Sequence, residues 1–181
     1  MNPDFRLPGS QTPGYNKGME SPLHKHLTRL DRVWIREPVY FVSTCTLHRR
    51  RVLANDTAHA ICAEVWENAR PLYGWHVGRY VVMPDHVHFF CAPEQDAKPL
   101  ATFVGKWKEW TAKNLHRREG VAVPLWQEEF FDHLLRSSES YSQKWEYVRQ
   151  NPVRAGLVAR HEDWPYQGCL TDLRVDKVET L

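Results

Sequence analysis

Two histidines one residue apart, His86 and His88, stand in the segment VVMPDHVHFF and could bind a metal ion together. The apolar residues that alternate with them predict a β-strand, in which successive side chains point to opposite faces. Both imidazoles would then share one face, with Cβ atoms about 6 to 7 Å apart, so two ligands could reach one cation. A pair of solvated histidines is the alternative that this spacing leaves open.

A tyrosine near the C-terminal end of the chain could supply a nucleophile. At about 100° per residue, Tyr141, Trp145 and Val148 form the apolar stripe of a helix predicted in the segment SSESYSQKWEYVRQ. Tyr147 lies about 130° from this stripe, and Asn151 follows one turn later, about 40° from Tyr147. The position of Tyr147 therefore indicates chemistry, whereas that of Tyr141 indicates packing.

Asn151 is followed by Pro152, and a residue before proline disfavours the helical conformation, so we expect the helix to end there. Its side-chain oxygen could then bind a cation, since amide oxygens are ligands for hard cations. Plain capping of the helix end is the alternative, and both remain open.

The scaffold that would position these residues is predicted to be α+β. The chain has 181 residues, 42% of them hydrophobic, which is enough for one substantial core. Strands are predicted over 39–47, 75–83 and 86–92, and helices over 57–70, 100–118 and about 138–150. A fourth strand is expected in 121–125 or in the aromatic-rich run after it. This βαββαβ order predicts a ferredoxin-like, four-stranded antiparallel sheet with helices on one face.

Three local patterns refine this prediction. Asp56 is expected to cap the first helix, and a Pro-Asp turn is expected to join the two central strands in a hairpin. Phe103, Trp107 and Trp110 fall on one face of the second helix.

The composition of the chain and its terminal segments favour a particular domain organisation and cellular location. Residues 1–30 are rich in Pro, Gly, Ser and Asn and predict an N-terminal arm, followed by one domain over 31–166 and a tail over 167–181. Every uninterrupted apolar run is far shorter than the ~20 residues of a membrane span, and the N-terminus does not resemble a secretory signal. The four cysteines have no close pair and are expected to be reduced thiols, so we expect a cytoplasmic location.

Three segments of the chain, taken in order, resemble one family. MPDHVHFF is similar to the histidine-hydrophobic-histidine (HUH) motif, and ESYSQKWEYVRQNPVRAGLV resembles the tyrosine helix of the REP-associated tyrosine transposases, a branch of the single-tyrosine HUH transposases. LWQEEFFDHLLR resembles the segment that precedes this helix. The resemblance runs from about Val39 to Tyr166. Asp85 stands where the family often has Asn, and the N-terminal arm has no counterpart in the family pattern.

The resemblance implies that 31–166 is a catalytic domain that uses a divalent cation, Mg²⁺ or Mn²⁺. It also implies cleavage and rejoining of single-stranded DNA near palindromic hairpins through a 5′-phosphotyrosine intermediate. Carried over by motif, Tyr147 is the nucleophile, and His86, His88 and Asn151 are the metal ligands. Imidazole ligands favour Mn²⁺ over Mg²⁺ in affinity.

The partner expected from this resemblance is single-stranded or hairpin DNA. The net charge is only +2, so attraction to a polyanion must come from local basic clusters. We expect phosphate contacts from six basic side chains, namely Arg49, Arg50, Arg51, Lys106, Lys108 and Arg154. Exposed members of the eight tryptophans are expected to stack on unpaired bases.

Two rival functions remain at this stage. A protein of this fold could bind DNA hairpins without cleaving them, although Tyr147 and both motif histidines are present. HUH replication initiators and relaxases are the second rival, but they usually carry further domains. The sequence leaves both a monomer and a homodimer open.

Overall fold

A five-stranded antiparallel sheet forms the centre of the computed structural model, which describes residues 39–173 and leaves the predicted arm at 1–30 outside. Its strand order is β4-β1-β3-β2-β5. The strands are β1 Val39–Cys45, β2 Trp75–Val82, β3 His86–Pro93, β4 Phe131–Leu135 and β5 Gln167–Cys169. The first four strands and the helices between them keep the βαββαβ order of a ferredoxin-like unit. The predicted fold class is confirmed, with one strand more than expected.

The predicted hairpin joins β2 and β3 through Pro84 and Asp85. The Met83 amide donates a hydrogen bond to the His86 carbonyl at 2.8 Å and closes the turn. Beyond the turn, Val87 and Phe89 of β3 enter one buried cluster, while Phe90 enters another on the opposite face. Because side chains alternate along a strand, the two motif histidines share the face of Phe90.

Helices α1 Asp56–Glu67, α2 Ala69–Tyr73 and α3 Leu100–Glu119 cover the face of Val87 and Phe89. Trp66 and Trp107 stack across this layer with ring centroids 5.0 Å apart and are almost fully buried. Aromatic rings of this size bury large apolar areas, so this pair is a main contributor to the attachment of α1 and α3.

One local prediction about these helices is wrong, and the aromatic face predicted for α3 is only partly buried. Asn55 caps α1, because its side-chain oxygen accepts a hydrogen bond from the Ala58 amide at 2.8 Å, while Asp56 is already the first helical residue. Trp110 does not continue the buried face of α3 and remains 43% exposed.

The other face of the sheet is covered by α4 Ser138–Arg149, followed by the short α5 Asn151–Arg154. Tyr141 packs edge-on against Phe90 with centroids 4.9 Å apart, and Val148 is fully buried. The Ser137 hydroxyl accepts from the Ser140 amide and caps α4. This packing agrees with the apolar stripe that the sequence pattern indicated.

The C-terminal elements differ in detail from the sequence expectations. Segment 121–125 is not a strand, in keeping with Pro124, which lacks the N–H that a ladder requires. The alternative, the aromatic-rich run, leads into β4. Strand β5 pairs with β2, so the predicted tail at 167–181 starts within the sheet. Between residues 39 and 173, none of the helices has the length and apolar character of a membrane span.

Candidate metal and nucleophile site

The two motif histidines lie side by side on β3. Their ring centroids are 4.7 Å apart with nearly perpendicular planes. On the neighbouring strand β1, Cys45 is in register with His86 and Ser43 with His88. The small side chains of Cys45 and Ser43 lie directly opposite the two imidazoles, and Phe41 of the same strand packs against one side of His88.

His86 contacts the carboxylate that precedes it in the chain. Its Nδ1 lies 2.6 Å from Asp85 Oδ1, and Arg49 Nε lies 2.9 Å from the other carboxylate oxygen. Burial lowers the pKa of His86 more than Asp85 raises it, so the ring is neutral near pH 7. Burial tends to raise the pKa of Asp85, but the His86 and Arg49 contacts outweigh it and hold the pKa below its ordinary value.

His88 is the more enclosed of the two histidines. Burial, together with the positive charges that face it, lowers the pKa of His88 to about 3. The ring stacks on Phe41 with centroids 5.5 Å apart. Its buried Nδ1 has no hydrogen-bond partner among residues 39–173. A neutral imidazole with a buried, unpartnered ring nitrogen is suited to metal ligation.

Tyr147 projects from α4 with 62% of its surface exposed, unlike Tyr141 on the same helix. The Arg154 guanidinium lies over its ring at 4.0 Å from the centroid, and Lys144 Nζ lies at 6.0 Å. The charges of Lys144 and Arg154 also act on His88. The side chains of Lys144 on α4 and Arg154 at the end of α5 therefore lie near the part of the sheet that carries His88.

Asn151 is the first residue of α5, two positions after the end of α4. Its side-chain oxygen accepts a hydrogen bond from Arg154, which also donates to the Tyr147 carbonyl at 2.7 Å. The cap of α4 is Gln150 and not Asn151. The side-chain oxygen of Asn151 therefore accepts a hydrogen bond from the positively charged guanidinium of Arg154. An oxygen that ligates a metal ion also faces a positive charge.

The donor set fits a divalent cation when these residues are taken together. Across residues 39–173, no cluster of three His, Cys, Asp or Glu side chains could hold a metal, so the histidine pair needs a different third donor. The side chain of Asn151 has an amide oxygen of the type that Mg²⁺ and Mn²⁺ accept, and burial keeps His86 and His88 neutral, as metal ligation requires.

The six predicted phosphate contacts have different surroundings. Arg51 and Lys106 are exposed, and Lys106 pairs with Glu109 at 2.7 Å. Arg49 is engaged with Asp85, and Arg50 donates to the Ala122 carbonyl at 2.8 Å. Both arginines therefore hold loops together. Arg154 lies at the candidate site itself.

Lys108 is buried, contrary to the expectation of a DNA contact. Its ammonium donates to three consecutive carbonyls, those of Gln127, Glu128 and Glu129, at 2.9 to 3.1 Å. Burial lowers the pKa of Lys108 to about 8, against the opposing effect of Glu129. These contacts give Lys108 a structural role in the connection between α3 and β4.

Two residues at the site were not singled out by the sequence analysis. Lys144 lies with Nζ 5.0 Å from the Phe41 ring centroid, and its spacing of three residues from Tyr147 was a helical signal for it. Phe131 on β4 is 56% exposed and is in register with Ser43, which is in register with His88. Alternation along β4 could have assigned Phe131 to this face once the register was known.

Residues 38–151 match the family model described as "Transposase IS200 like". The chain belongs to this family. The resemblance to REP-associated tyrosine transposases is also confirmed, because the Escherichia coli K12 protein of that name is 26% identical over 136 residues, covering 75% of this chain and 78% of its own. A Haemophilus influenzae relative is 29% identical over 104 residues, covering 52% of this chain and 59% of its own.

Solved structures share the fold. "Structure of the REP associates tyrosine transposase bound to a REP hairpin" aligns with a TM-score of 0.61 at 22% identity, covering 75% of this chain and 79% of that one. A Deinococcus radiodurans crystal structure aligns with a TM-score of 0.50 at 19% identity, covering 66% of this chain and 94% of that one.

Proposed function

We propose that this IS200-like transposase cleaves and rejoins single-stranded DNA at palindromic hairpins, with Tyr147 as the nucleophile. One observation carries the proposal: Tyr147 is exposed on α4 while the two neutral histidines lie on the strand face that α4 covers. An exposed tyrosine ring contributes little to the core, and the hydroxyl is free to reach a phosphodiester.

In the proposed reaction, Tyr147 Oη attacks the phosphorus and loses its proton to solvent. The new Oη–P bond replaces the bond from phosphorus to the 3′ oxygen, which takes up a proton and leaves as a 3′-hydroxyl. The DNA 5′ end remains on the tyrosine as a phosphodiester. A 3′-hydroxyl can reverse the attack without ATP, because one phosphodiester is exchanged for another.

The residues around Tyr147 would bind and orient the phosphodiester. Arg154 and Lys144 flank the ring at 4.0 and 6.0 Å and supply positive charge at the position of the attacked phosphate. His86, His88 and Asn151 would hold Mg²⁺ or Mn²⁺, which when bound polarises a phosphoryl oxygen. The burial of His88 keeps its imidazole neutral near pH 7, so one of its two ring nitrogens has a free lone pair.

The path of the DNA is proposed to cross the sheet from Tyr147 toward β4. Phe131 on β4, Ser43 on β1 and His88 on β3 are in register across three neighbouring strands and share one face of the sheet. Phe131 and His88 are therefore two strand spacings apart, which is about 10 Å. An exposed aromatic ring at this distance suits stacking of an unpaired base next to the cleaved phosphate. The exposed Trp110, in contrast, belongs to α3 on the opposite side.

Hairpin DNA is proposed as the substrate because the structure named as bound to a REP hairpin shares this fold. We place the reaction in the cytoplasm, where the four free cysteines at 45, 62, 91 and 169 stay reduced. The direct phosphate contacts that we retain are Arg51 and Arg154. Lys106 is exposed four residues before Trp110 on α3, away from the proposed DNA path, and would act on DNA only through its charge at longer range.

A trapping assay tests the proposal. The wild-type protein is incubated with hairpin oligonucleotides from the flanks of its own gene and with Mg²⁺ or Mn²⁺. We expect a protein–DNA species that survives boiling in detergent, that maps to the Tyr147 peptide by mass spectrometry and that is lost in excess chelator. Hairpin binding without any adduct would favour the rival function of a DNA-binding protein, and full cleavage with chelator would refute metal dependence.

A further inference from the structure

Four side chains around the hairpin turn form a chain of contacts that ends on a motif histidine. Arg49 Nη1 lies 2.6 Å from Cys45 Sγ, and Arg49 Nε lies 2.9 Å from Asp85 Oδ2. Asp85 Oδ1 lies 2.6 Å from His86 Nδ1. The side chains of Asp85 and His86 are only 17% and 16% exposed, so solvent competes weakly for the contact between them. The Arg49 side chain is 52% exposed.

We infer that Asp85, held by Arg49, is a positioning residue that fixes the tautomer and ring orientation of His86. A carboxylate can only accept hydrogen bonds, so the imidazole must donate through Nδ1. In a neutral ring the lone pair then resides on Nε2, the nitrogen that points away from Asp85. A carboxylate behind a ligating histidine orients the ring and raises its basicity. The inference rests on the proposed metal role of His86.

The loop that carries Arg49 is built to hold it there. His48 and Arg49 both have φ of +56°, a left-handed conformation that is uncommon for residues with a Cβ. Thr46 ties this loop to the turn, because its amide donates to the Asp85 carbonyl at 2.9 Å and its hydroxyl does so at 3.0 Å. A locally unfavourable backbone persists only where surrounding contacts enforce it.

These contacts also explain why Arg49 is a poor choice for a DNA contact. One guanidinium edge is used by the buried carboxylate and another lies on Cys45. An Asn side chain at position 85 would retain an oxygen that can accept a hydrogen bond from His86 Nδ1. It would lack the charge that attracts Arg49. In this chain His86 is therefore supported by a charged pair, Asp85 and Arg49.

The tautomer can be measured without metal, substrate or activity. Long-range ¹H–¹⁵N correlation spectra of the ¹⁵N-labelled, metal-free protein distinguish the protonated from the unprotonated ring nitrogen of each neutral histidine. We expect His86 to carry its proton on Nδ1 in wild type and in Asp85→Asn. In Asp85→Ala we expect the proton to move to Nε2 or to exchange between both nitrogens, and Arg49→Gln should broaden the His86 signals while keeping Nδ1–H.

Mn²⁺ affinity, measured by titration, provides the second readout. Loss of a carboxylate behind a ligating histidine weakens metal affinity by about 10- to 100-fold, so Asp85→Ala should bind Mn²⁺ that much more weakly and Asp85→Asn should recover most of the loss. An Nε2–H tautomer in wild type, or an Asp85→Ala protein with unchanged tautomer and affinity, overturns the inference.

The design separates this inference from the proposed function. If the Nδ1–H tautomer of His86 depends on Asp85, the inference holds, whether or not the wild-type protein forms a covalent DNA adduct. If the tautomer result holds and no adduct forms, only the proposed function fails. Thermal melting shows whether Asp85→Ala is folded. Where it is not, the comparison of wild type with Asp85→Asn and Arg49→Gln decides the outcome, since both substitutions keep polar side chains.

Discussion

The two faces of the central sheet are covered to very different extents. On the face of α1 and α3, Trp66 and Trp107 are essentially removed from solvent and their rings stack. On the face of α4, Tyr141 is packed, but Tyr147 and Phe131 are more than half exposed. Trp110 on the face of α3 is also 43% exposed, so exposure alone does not assign a function. Tyr147 and Phe131 differ from it because they lie on the face of the motif histidines.

The largest effect expected from this difference concerns two tyrosines of one helix. Tyr147→Phe should abolish the covalent DNA adduct and leave hairpin affinity and thermal stability nearly unchanged, because only an exposed hydroxyl is removed. Tyr141→Phe should keep the adduct, since its ring packs on Phe90 and remains in place. Trapping assays and mass spectrometry compare the two variants. An adduct that persists in Tyr147→Phe and maps to Tyr141 would falsify the assignment of the helix faces.

The second prediction compares exposed aromatic residues on opposite faces. Phe131→Ala should weaken binding of single-stranded or hairpin DNA by about 1 to 3 kcal/mol, the range for one stacked base. Trp110→Ala is the matched control, because Trp110 is 43% exposed but belongs to α3 on the other face. Fluorescence anisotropy with labelled oligonucleotides measures both. Equal losses from the two substitutions would show that stacking is not confined to the face of the histidines.

Much of this fold could be predicted from the periodicity of apolar residues, because the repeats of strands and helices involve residues that are close in the sequence. The alternation around His86 and His88 was enough to assign both to one face, and the helical angle separated Tyr147 from Tyr141. Contacts between distant segments were not accessible in this way. Arg49 meets Asp85, 36 positions later, only after β1 and β3 pair. Lys108 is buried because three carbonyls of residues 127–129 converge on it, and no spacing in α3 signals that.

The predicted positions of strands were wrong where a strand was short or where a proline interrupted an apolar run. Strand β5 has only three residues, too few for an alternating pattern, and it forms because β2 offers a free edge. Segment 121–125 is apolar enough for a strand, but Pro124 cannot donate to a ladder. The candidate site lies outside both regions, and its prediction was therefore not affected by these errors.

The third prediction concerns the acid sensitivity of the face of the histidines. Burial lowers the pKa of His88 from 6.5 to about 3, so between these values the unfolded chain binds a proton that the folded protein does not. The free energy of unfolding should therefore fall as the pH drops below 6.5, by about 2 kcal/mol at pH 5 from this residue. Urea unfolding at pH 7 and pH 5 measures it. His88→Phe should show a smaller loss, and an identical pH dependence in both proteins would contradict the prediction.

The smallest effect is expected on the opposite face, at Lys108. Its buried ammonium donates to three carbonyls, and Lys108→Met would leave those acceptors without that donor while filling a similar volume. Unsatisfied buried acceptors cost free energy, but removal of a buried charge offsets part of the loss, so we expect destabilisation of about 1 kcal/mol. Urea unfolding measures this change, and hairpin affinity should stay constant because Lys108 is not accessible to DNA.

Lys106→Met, on the exposed side of the same helix, is the matched control and should leave stability unchanged while weakening DNA binding slightly in a salt-dependent way. A loss of DNA affinity in Lys108→Met that equals or exceeds that in Lys106→Met would mean that the loop at 127–129 opens to expose Lys108 to the phosphates.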